Sequence, residues 1–153
     1  RIIICASEDV GLANPAALNT AVSAYYSVKN IGMPEARIIL SHAALMVANS
    51  PKSNSAYMAI NKAMKDVADK RTGEIPFHLR NAPAKGMKDV GYAQGYKYAH
   101  DYPGNYVEQE YLPEEIAGTV YYEPTGNGYE EQIKKWVDKR RDEKNAKRKD
   151  KRR

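Results

Sequence analysis

Cysteine is almost absent from this chain: Cys5 is the only one in 153 residues. A single thiol excludes an intrachain disulfide framework and any CxxC metal motif, which fits a cytosolic setting. Long apolar runs are missing too. No stretch approaches the roughly 20 residues that span a bilayer, and no signal-peptide pattern occurs, so a cytoplasmic chain with no membrane partner is expected. The sequence has no GxSxG, no HExxH and no GxxxxGK[ST] loop, so it cannot cradle a nucleotide phosphate in the Walker manner. His42, His78 and His100 are too far apart for zinc-ligand spacing and read as hydrogen-bonded structural residues. Cys5 follows an Ile run and reads as an inert core thiol. The neighbouring pairs Glu114-Glu115 and Glu130-Glu131 point in different directions from a helix and read as solvated charge. No catalytic, cofactor-binding or metal-binding residue is assigned. The chain has no initiator Met and runs from Arg1 straight into Ile2-Ile3-Ile4, so it reads as a piece of a longer protein.

Positive charge is present but unevenly placed. The formal net charge is +5. Residues 134–153 hold 12 Lys/Arg and 4 Asp/Glu, or +8, which leaves −3 for the rest. The basicity belongs to the C-terminal end and the body is mildly acidic.

What the chain has in quantity is alanine at helical spacing. Thirteen alanines fall between Ala13 and Ala68, and small residues let helix backbones approach closely. Residues 1–6 read as the end of a buried helix and Ser7–Leu12 as a polar connection. Asn14-Pro15 is a helix start and Gly32 a stop, with Leu18, Val22, Tyr25 and Val28 on one face. Met33-Pro34-Glu35 opens a third helix whose apolar content, Ile39 and Met46 included, predicts the central position. Pro51 ends it. Ser53 caps a fourth helix that carries Tyr57, Ile60, Met64 and Val67 on one face, with Asn61, Lys62, Lys65, Asp66, Asp69 and Lys70 opposite in water. Lys70 and Arg71 suit the end of that helix and Gly73 its left-handed stop. The candidate core or interface set is therefore Leu18, Val22, Tyr25, Ile39, Met46, Tyr57, Ile60, Met64 and Val67.

Beyond Gly73 the character changes. Pro76, Pro83, Pro103, Pro113 and Pro124 interrupt any long helix, and most of the tyrosines lie here. Short helical turns are expected at Pro83–Val90 and Pro113–Ala117, and a brief extended segment at Thr119–Tyr122. The rest is expected to be ordered irregular chain that wraps the bundle and packs through Tyr rings. A last helix is expected from Gly128, with Ile133, Trp136 and Val137 on one side and fraying beyond Arg140.

Two groups of cations are candidate nucleic-acid contacts. Arg80, Lys85, Lys88 and Lys97 lie beside Tyr92, Tyr96 and Tyr98, where rings could stack bases and cations meet phosphates. Lys139, Arg140, Arg141, Lys147 and Arg148 belong to the basic end, where phosphates bind through counterion release. A single-stranded nucleic-acid-binding module is thus the alternative to an assembly domain.

Several long segments carry a family resemblance: SEDVGLA (Ser7–Ala13), ANSPKSNSAYMAI (Ala48–Ile60), HLRNAPAKGMKDVGY (His78–Tyr92), GYKYAHDYPGNYVEQEYLP (Gly95–Pro113) and YYEPTGNGYE (Tyr121–Glu130). Together they resemble the C-terminal region of the RarA/MgsA family of AAA+ ATPases, bacterial replication-associated recombination proteins related to the eukaryotic Werner-helicase-interacting protein. The resemblance implies an all-α domain like the oligomerisation domains of clamp-loader subunits. It covers residues 1–130, with a bundle over 1–73 and a wrapping segment over 74–130; a basic helix and tail follow over 131–153, and the end after about Asp138 has no counterpart. It further implies a homotetramer and a DNA-dependent ATPase acting at replication forks and recombination, in the nucleoid. The implied partners are DNA single strands or fork ends, bound weakly, and single-strand-binding protein. ATP and magnesium belong to the AAA+ module, so none is expected here.

Overall fold

Six α-helices account for the main regular structure among the described residues: Ile2–Cys5 (α1), Ala16–Ile31 (α2), Ala36–Ala48 (α3), Ser55–Asp69 (α4), Lys85–Asp89 (α5) and Glu130–Asp150 (α6). The computed structural model describes residues 1–150, without the side chains of Lys85 and residues 145–150. No strand occurs among the described residues, so the fold is all-α. The extended segment expected at Thr119–Tyr122 pairs with nothing as a ladder. The chain divides into two units. One comprises Arg1–Met64 together with the chain from Tyr121 onward, and the other is Lys65–Val120.

In the first unit, α1 continues through a π-helical turn, Ala6–Val10, where a polar connection was expected. Ala6 and Val10, four apart, are buried while Ser7, Glu8 and Asp9 are exposed, so the stretch is an amphipathic turn. The Ile run before it is only partly buried, and Ile4 is exposed. The start of α2 is as expected: Asn14 Oδ1 accepts the Ala16 N–H at 3.2 Å. Asn14 Nδ2 also donates to Ser50 Oγ at 2.9 Å, which ties the start of α2 to the end of α3. Gly32 ends α2 with φ 78°, outside the range an L side chain adopts readily.

The core differs from the expectation in a way that matters. On α2 the buried residues are Ala17, Ala21 and Ala24. On α3 they are Ala36, Ala43 and Val47. Leu18, Val22 and Tyr25, expected to pack, stand on the open side of α2 with Tyr25 56% exposed. On α4 the inward row is Ser55, Ala59, Ala63 and Asp66, with Ser55 and Asp66 buried. Tyr57, Ile60, Met64 and Val67 lie round the other side, Met64 being 60% exposed. Asp66, expected in water, is instead buried and pairs with Lys70 Nζ at 2.7 Å. Nor is α3 enclosed: Ile38, Leu40, His42 and Leu45 are exposed, and only Ile39 and Met46 of its larger apolar residues besides Val47 are half-buried. Small side chains thus make the close helix contacts, and the bulky ones are left outside.

The second unit is irregular with short turns, as its prolines dictate. 3₁₀ turns cover Phe77–Leu79, Ala99–Asp101, Pro103–Asn105 and Glu114–Ile116, and α5 falls inside the expected Pro83–Val90 window. α6 does not fray at Arg140 but runs on to Asp150.

Candidate assembly surface and the Glu130 clasp

The most enclosed large side chain of the first unit is a charged one. Glu130, in the first turn of α6, has no solvent exposure. Its Oε2 accepts from Ser53 Oγ at 2.6 Å, from Thr125 Oγ1 at 2.6 Å and from the Thr125 backbone N–H at 3.0 Å. Its Oε1 accepts from Tyr122 O–H at 2.9 Å and from the Ser55 hydroxyl. Burial pushes this carboxyl up, but the hydroxyls of Ser53, Ser55, Thr125 and Tyr122 outweigh it and leave the pKa at about 2. Conversely, burial and the neighbouring Glu130 carboxylate push Tyr122 up to about 12. Glu130 is therefore a fixed anion at the N-terminus of α4, where the helix dipole favours it.

Main-chain contacts frame the clasp. The Ser53 N–H donates to Asp9 O at 2.8 Å and the Tyr129 N–H to Ala13 O at 2.9 Å. Asn127 Nδ2 donates to Lys52 O at 2.9 Å. Two crossings are so close that only glycine fits. A Cβ on Gly128 (φ 55°) would stand 2.3 Å from Ala13 O, and one on Gly11 (φ 50°) 2.7 Å from Ser53 O. Three of the segments that carry the resemblance, Ser7–Ala13, Ala48–Ile60 and Tyr121–Glu130, meet here. Reading Glu130 as solvated charge missed this, and the signal was available: hydroxyl residues concentrate in the two segments that close on it.

The clasp is not a chemical site. Five donors occupy the carboxylate, so it neither takes a proton near neutrality nor offers a lone pair to a metal. No group of three or more potential metal ligands occurs among the described residues. Cys5 lines an open hollow of about 470 Å³ together with Ile2, Ile4, Ala44 and Val47. Its S–H donates to Asp9 Oδ2 at 3.1 Å. That hydrogen bond raises the thiol pKa above its ordinary value, and burial adds to it, so the thiol stays protonated.

Of the cations proposed for nucleic acid, Arg80 is held within its own unit. Its Nε donates to Ile75 O and an Nη to Glu74 Oε2, each at 2.6 Å, and its Cζ lies 4.3 Å from the Phe77 ring centroid and 5.4 Å from that of Tyr92. Among the described residues of that group, only Arg80 sits on aromatic rings. Lys88 and Lys97 are exposed, and the Lys85 side chain lies outside the described residues. On α6, Lys139 is exposed and Arg140 pairs with Glu143 at 3.0 Å, 5.4 Å above Trp136. Arg141 reaches Asp138 at 4.0 Å and Tyr122 O at 3.4 Å. The side chains of Lys147 and Arg148 lie outside the described residues.

What remains is the outer face of the helices. Leu18, Val22, Tyr25 and Tyr26 on α2, Ile38, Leu40 and Leu45 on α3, and Tyr57, Ile60 and Met64 on α4 are all exposed. Exposed apolar residues are common singly, but rows of them on successive helices mark an interaction surface.

The model of the family described as MgsA AAA+ ATPase C terminal matches residues 1–141. The chain belongs to that family. Similar curated proteins include an uncharacterized AAA domain-containing protein of Mycobacterium tuberculosis, 45% identical over 141 residues, with 92% of this chain and 31% of that protein covered. Replication-associated recombination protein A of Bacillus subtilis is 40% identical over 140 residues, covering 91% of this chain and 33% of its own. ATPase WRNIP1 of Dictyostelium discoideum is 40% identical over 124 residues, covering 80% and 14%. The chain thus spans about a third or less of these relatives. As a member of the RarA/MgsA family it carries the C-terminal AAA+ domain without a Walker loop. No helix among the described residues is long and apolar enough to cross a membrane.

Proposed function

We propose that this domain is the self-assembly module of a RarA-type AAA+ ATPase and forms a homotetramer. The observation that carries the reading is the inversion of the helix faces. Alanines fill the contacts within the subunit, while leucines, isoleucines, tyrosines and methionines of α2, α3 and α4 face outward. Covering such rows with a second copy removes apolar area from water at about 25 cal/mol per Å². The similarity to replication-associated recombination protein A of Bacillus subtilis supports a role of the whole protein in replication-associated recombination. On that basis the full-length protein is an ATPase whose ATP and magnesium sit in its AAA+ module, and which works on DNA in the nucleoid with single-strand-binding protein as a partner. The Tyr/Lys alternative is less well supported, because Arg80 is engaged by Glu74, Phe77 and Tyr92.

Light scattering on the isolated chain tests the proposal. At roughly tens of micromolar, where a weak interface is populated, the expected mass is about four times the 17.2 kDa of the chain. A mass that stays monomeric across that range means the apolar rows are not covered by copies of this chain, and overturns the reading.

A further inference from the structure

α4 is amphipathic in reverse. A surface helix normally turns its apolar stripe to the core and its polar face to water. The polar groups of α4 face its own chain instead: Ser55 joins the Glu130 clasp, Lys62 reaches Glu123 at 3.8 Å, and the buried Asp66 holds Lys70 at 2.7 Å. Its large apolar residues Tyr57, Ile60, Met64 and Val67 stand exposed. Among the described residues α4 packs along none of α1, α2 and α3, so none of those helices covers that stripe.

We propose that α4 pairs antiparallel with α4 of a second copy, about a two-fold axis between Ile60 and Met64. Resting on the self-assembly just proposed, this pairing names the contact through which two copies meet. Two features of the stripe favour it. The spacing of its residues is three, four, three, which reads the same in both directions. Turned about the axis, Tyr57 stands opposite Val67 of the second copy, and Ile60 opposite its Met64. That is the seam of a short antiparallel coiled coil, with the larger Tyr and Met each set against a β-branched residue. Charge, moreover, is absent from the stripe and its borders. At about 100° per residue, the flanking positions are Ala56, Asn61, Ala63 and Ala68. Lys62, Lys65, Asp66, Asp69 and Lys70 all fall on the far arc. Two identical stripes therefore meet without like charges, and the alanines let the helices approach closely. A two-fold contact is closed, so it does not propagate into a filament. A membrane surface is a poorer occupant, because cations beside the apolar face hold such a helix to anionic lipid, and the borders here carry none.

Cysteine cross-linking of the 153-residue chain, with Cys5→Ser as background, tests the pairing. Chains with Tyr57→Cys and chains with Val67→Cys, one set carrying a mass tag, are equilibrated together and oxidised with copper-phenanthroline. The expected product is the mixed covalent pair. Either variant alone is expected to give none, because two copies of position 57 stand about 15 Å apart along the paired axes, beyond the roughly 7 Å between Cα atoms that a disulfide bridges. Ile60→Glu places a carboxylate on the seam at a position exposed in the subunit. It is expected to lose the four-chain mass in light scattering with unchanged circular dichroism. Lys65→Glu, the same acidic change on the far arc, is expected to keep that mass. Cross-linking within one variant means parallel pairing and overturns the proposal. So does a four-chain mass that persists in Ile60→Glu, or a mixture that assembles in reducing buffer yet yields no cross-link on oxidation. In those cases self-assembly stands and its contact lies elsewhere, whereas a parent chain that is itself monomeric removes both. The Ile60→Glu result decides even where a cysteine variant no longer assembles.

Discussion

Replacing Glu130 with Gln tests the central claim about the first unit, that a buried anion holds it shut. The carboxyl pKa is lowered from 4.5 to about 2. That gap corresponds to roughly 3 kcal/mol of stability, at about 1.36 kcal/mol per pH unit. The sign follows from the direction. A carboxyl depressed in the fold contributes its full share above the unfolded value and loses it as the pH falls toward about 2. The expected contribution is about 3 kcal/mol near pH 7 and about 1.4 kcal/mol near pH 3. Gln keeps the shape and one carbonyl but presents an NH₂ to hydroxyls that were donating, so it forfeits the charge-assisted bonds. Urea unfolding followed by circular dichroism should therefore place Glu130→Gln about 3 kcal/mol below the parent near neutrality, with the difference shrinking to about half near pH 3. A loss below about 0.5 kcal/mol near neutrality, the range of ordinary surface substitutions, refutes the argument. So does a difference that stays constant across that pH range, because the loss would then come from packing and not from the charge.

Three further outcomes follow from the geometry. Tyr122, raised to about 12, favours the neutral phenol in the fold; its contribution is present below about pH 10 and lost as the pH rises toward 12, so Tyr122→Phe should remove part of the alkaline decline in melting temperature. Gly128→Ala drives a Cβ to 2.3 Å from Ala13 O at a positive φ, and should cost roughly 2–4 kcal/mol in denaturant titration by combining backbone strain with a clash; Gly104→Ala, with nothing within 4 Å of the added Cβ, should cost less. Met64→Asp should leave the stability of the isolated subunit within about 0.5 kcal/mol, since the side chain is exposed, but should abolish the rise of melting temperature with protein concentration that assembly confers.

Much of the helix pattern was legible before any coordinates. Asn14-Pro15, Gly32, Pro51 and Ser53 are local signals, and each does locally what its chemistry predicts: Asn14 takes the Ala16 N–H, and Ser53 Oγ takes the Ser55 N–H at 3.3 Å. The faces were not legible. Periodicity identifies Tyr57, Ile60 and Met64 as one side of α4, but cannot tell whether the surface that covers that side belongs to the same chain. Here most large residues of α2, α3 and α4 stand exposed and the alanines, which carry little hydrophobic signal, face in. Glu130 escaped for another reason. Its partners Ser53 and Ser55 are 77 and 75 residues away, and the hydroxyls near it in sequence, Tyr122 and Thr125, do not by themselves reveal that a second hydroxyl-bearing segment closes on the same carboxylate. Arg80 is similar: beside lysines and tyrosines it reads as a phosphate contact, until Phe77 three residues back is seen beneath it.

The distance in sequence between Ser55 and Glu130 has a consequence for how the domain is made. Synthesis proceeds from the N-terminus at roughly 5–20 residues per second. The 75 residues that separate the two therefore impose a wait of roughly 4–15 s. During that interval α1 to α4 have been translated, and the hydroxyls of Ser53 and Ser55 still lack the anion they hold in the finished fold. The same helices carry the rows that a neighbouring copy would cover. On a polysome, where nascent copies lie close together, those rows are available before the clasp has closed. A chain that stops short of Glu130 never closes it, so expression limits that keep the apolar helices but cut before residue 130 should yield aggregates rather than a smaller assembly domain.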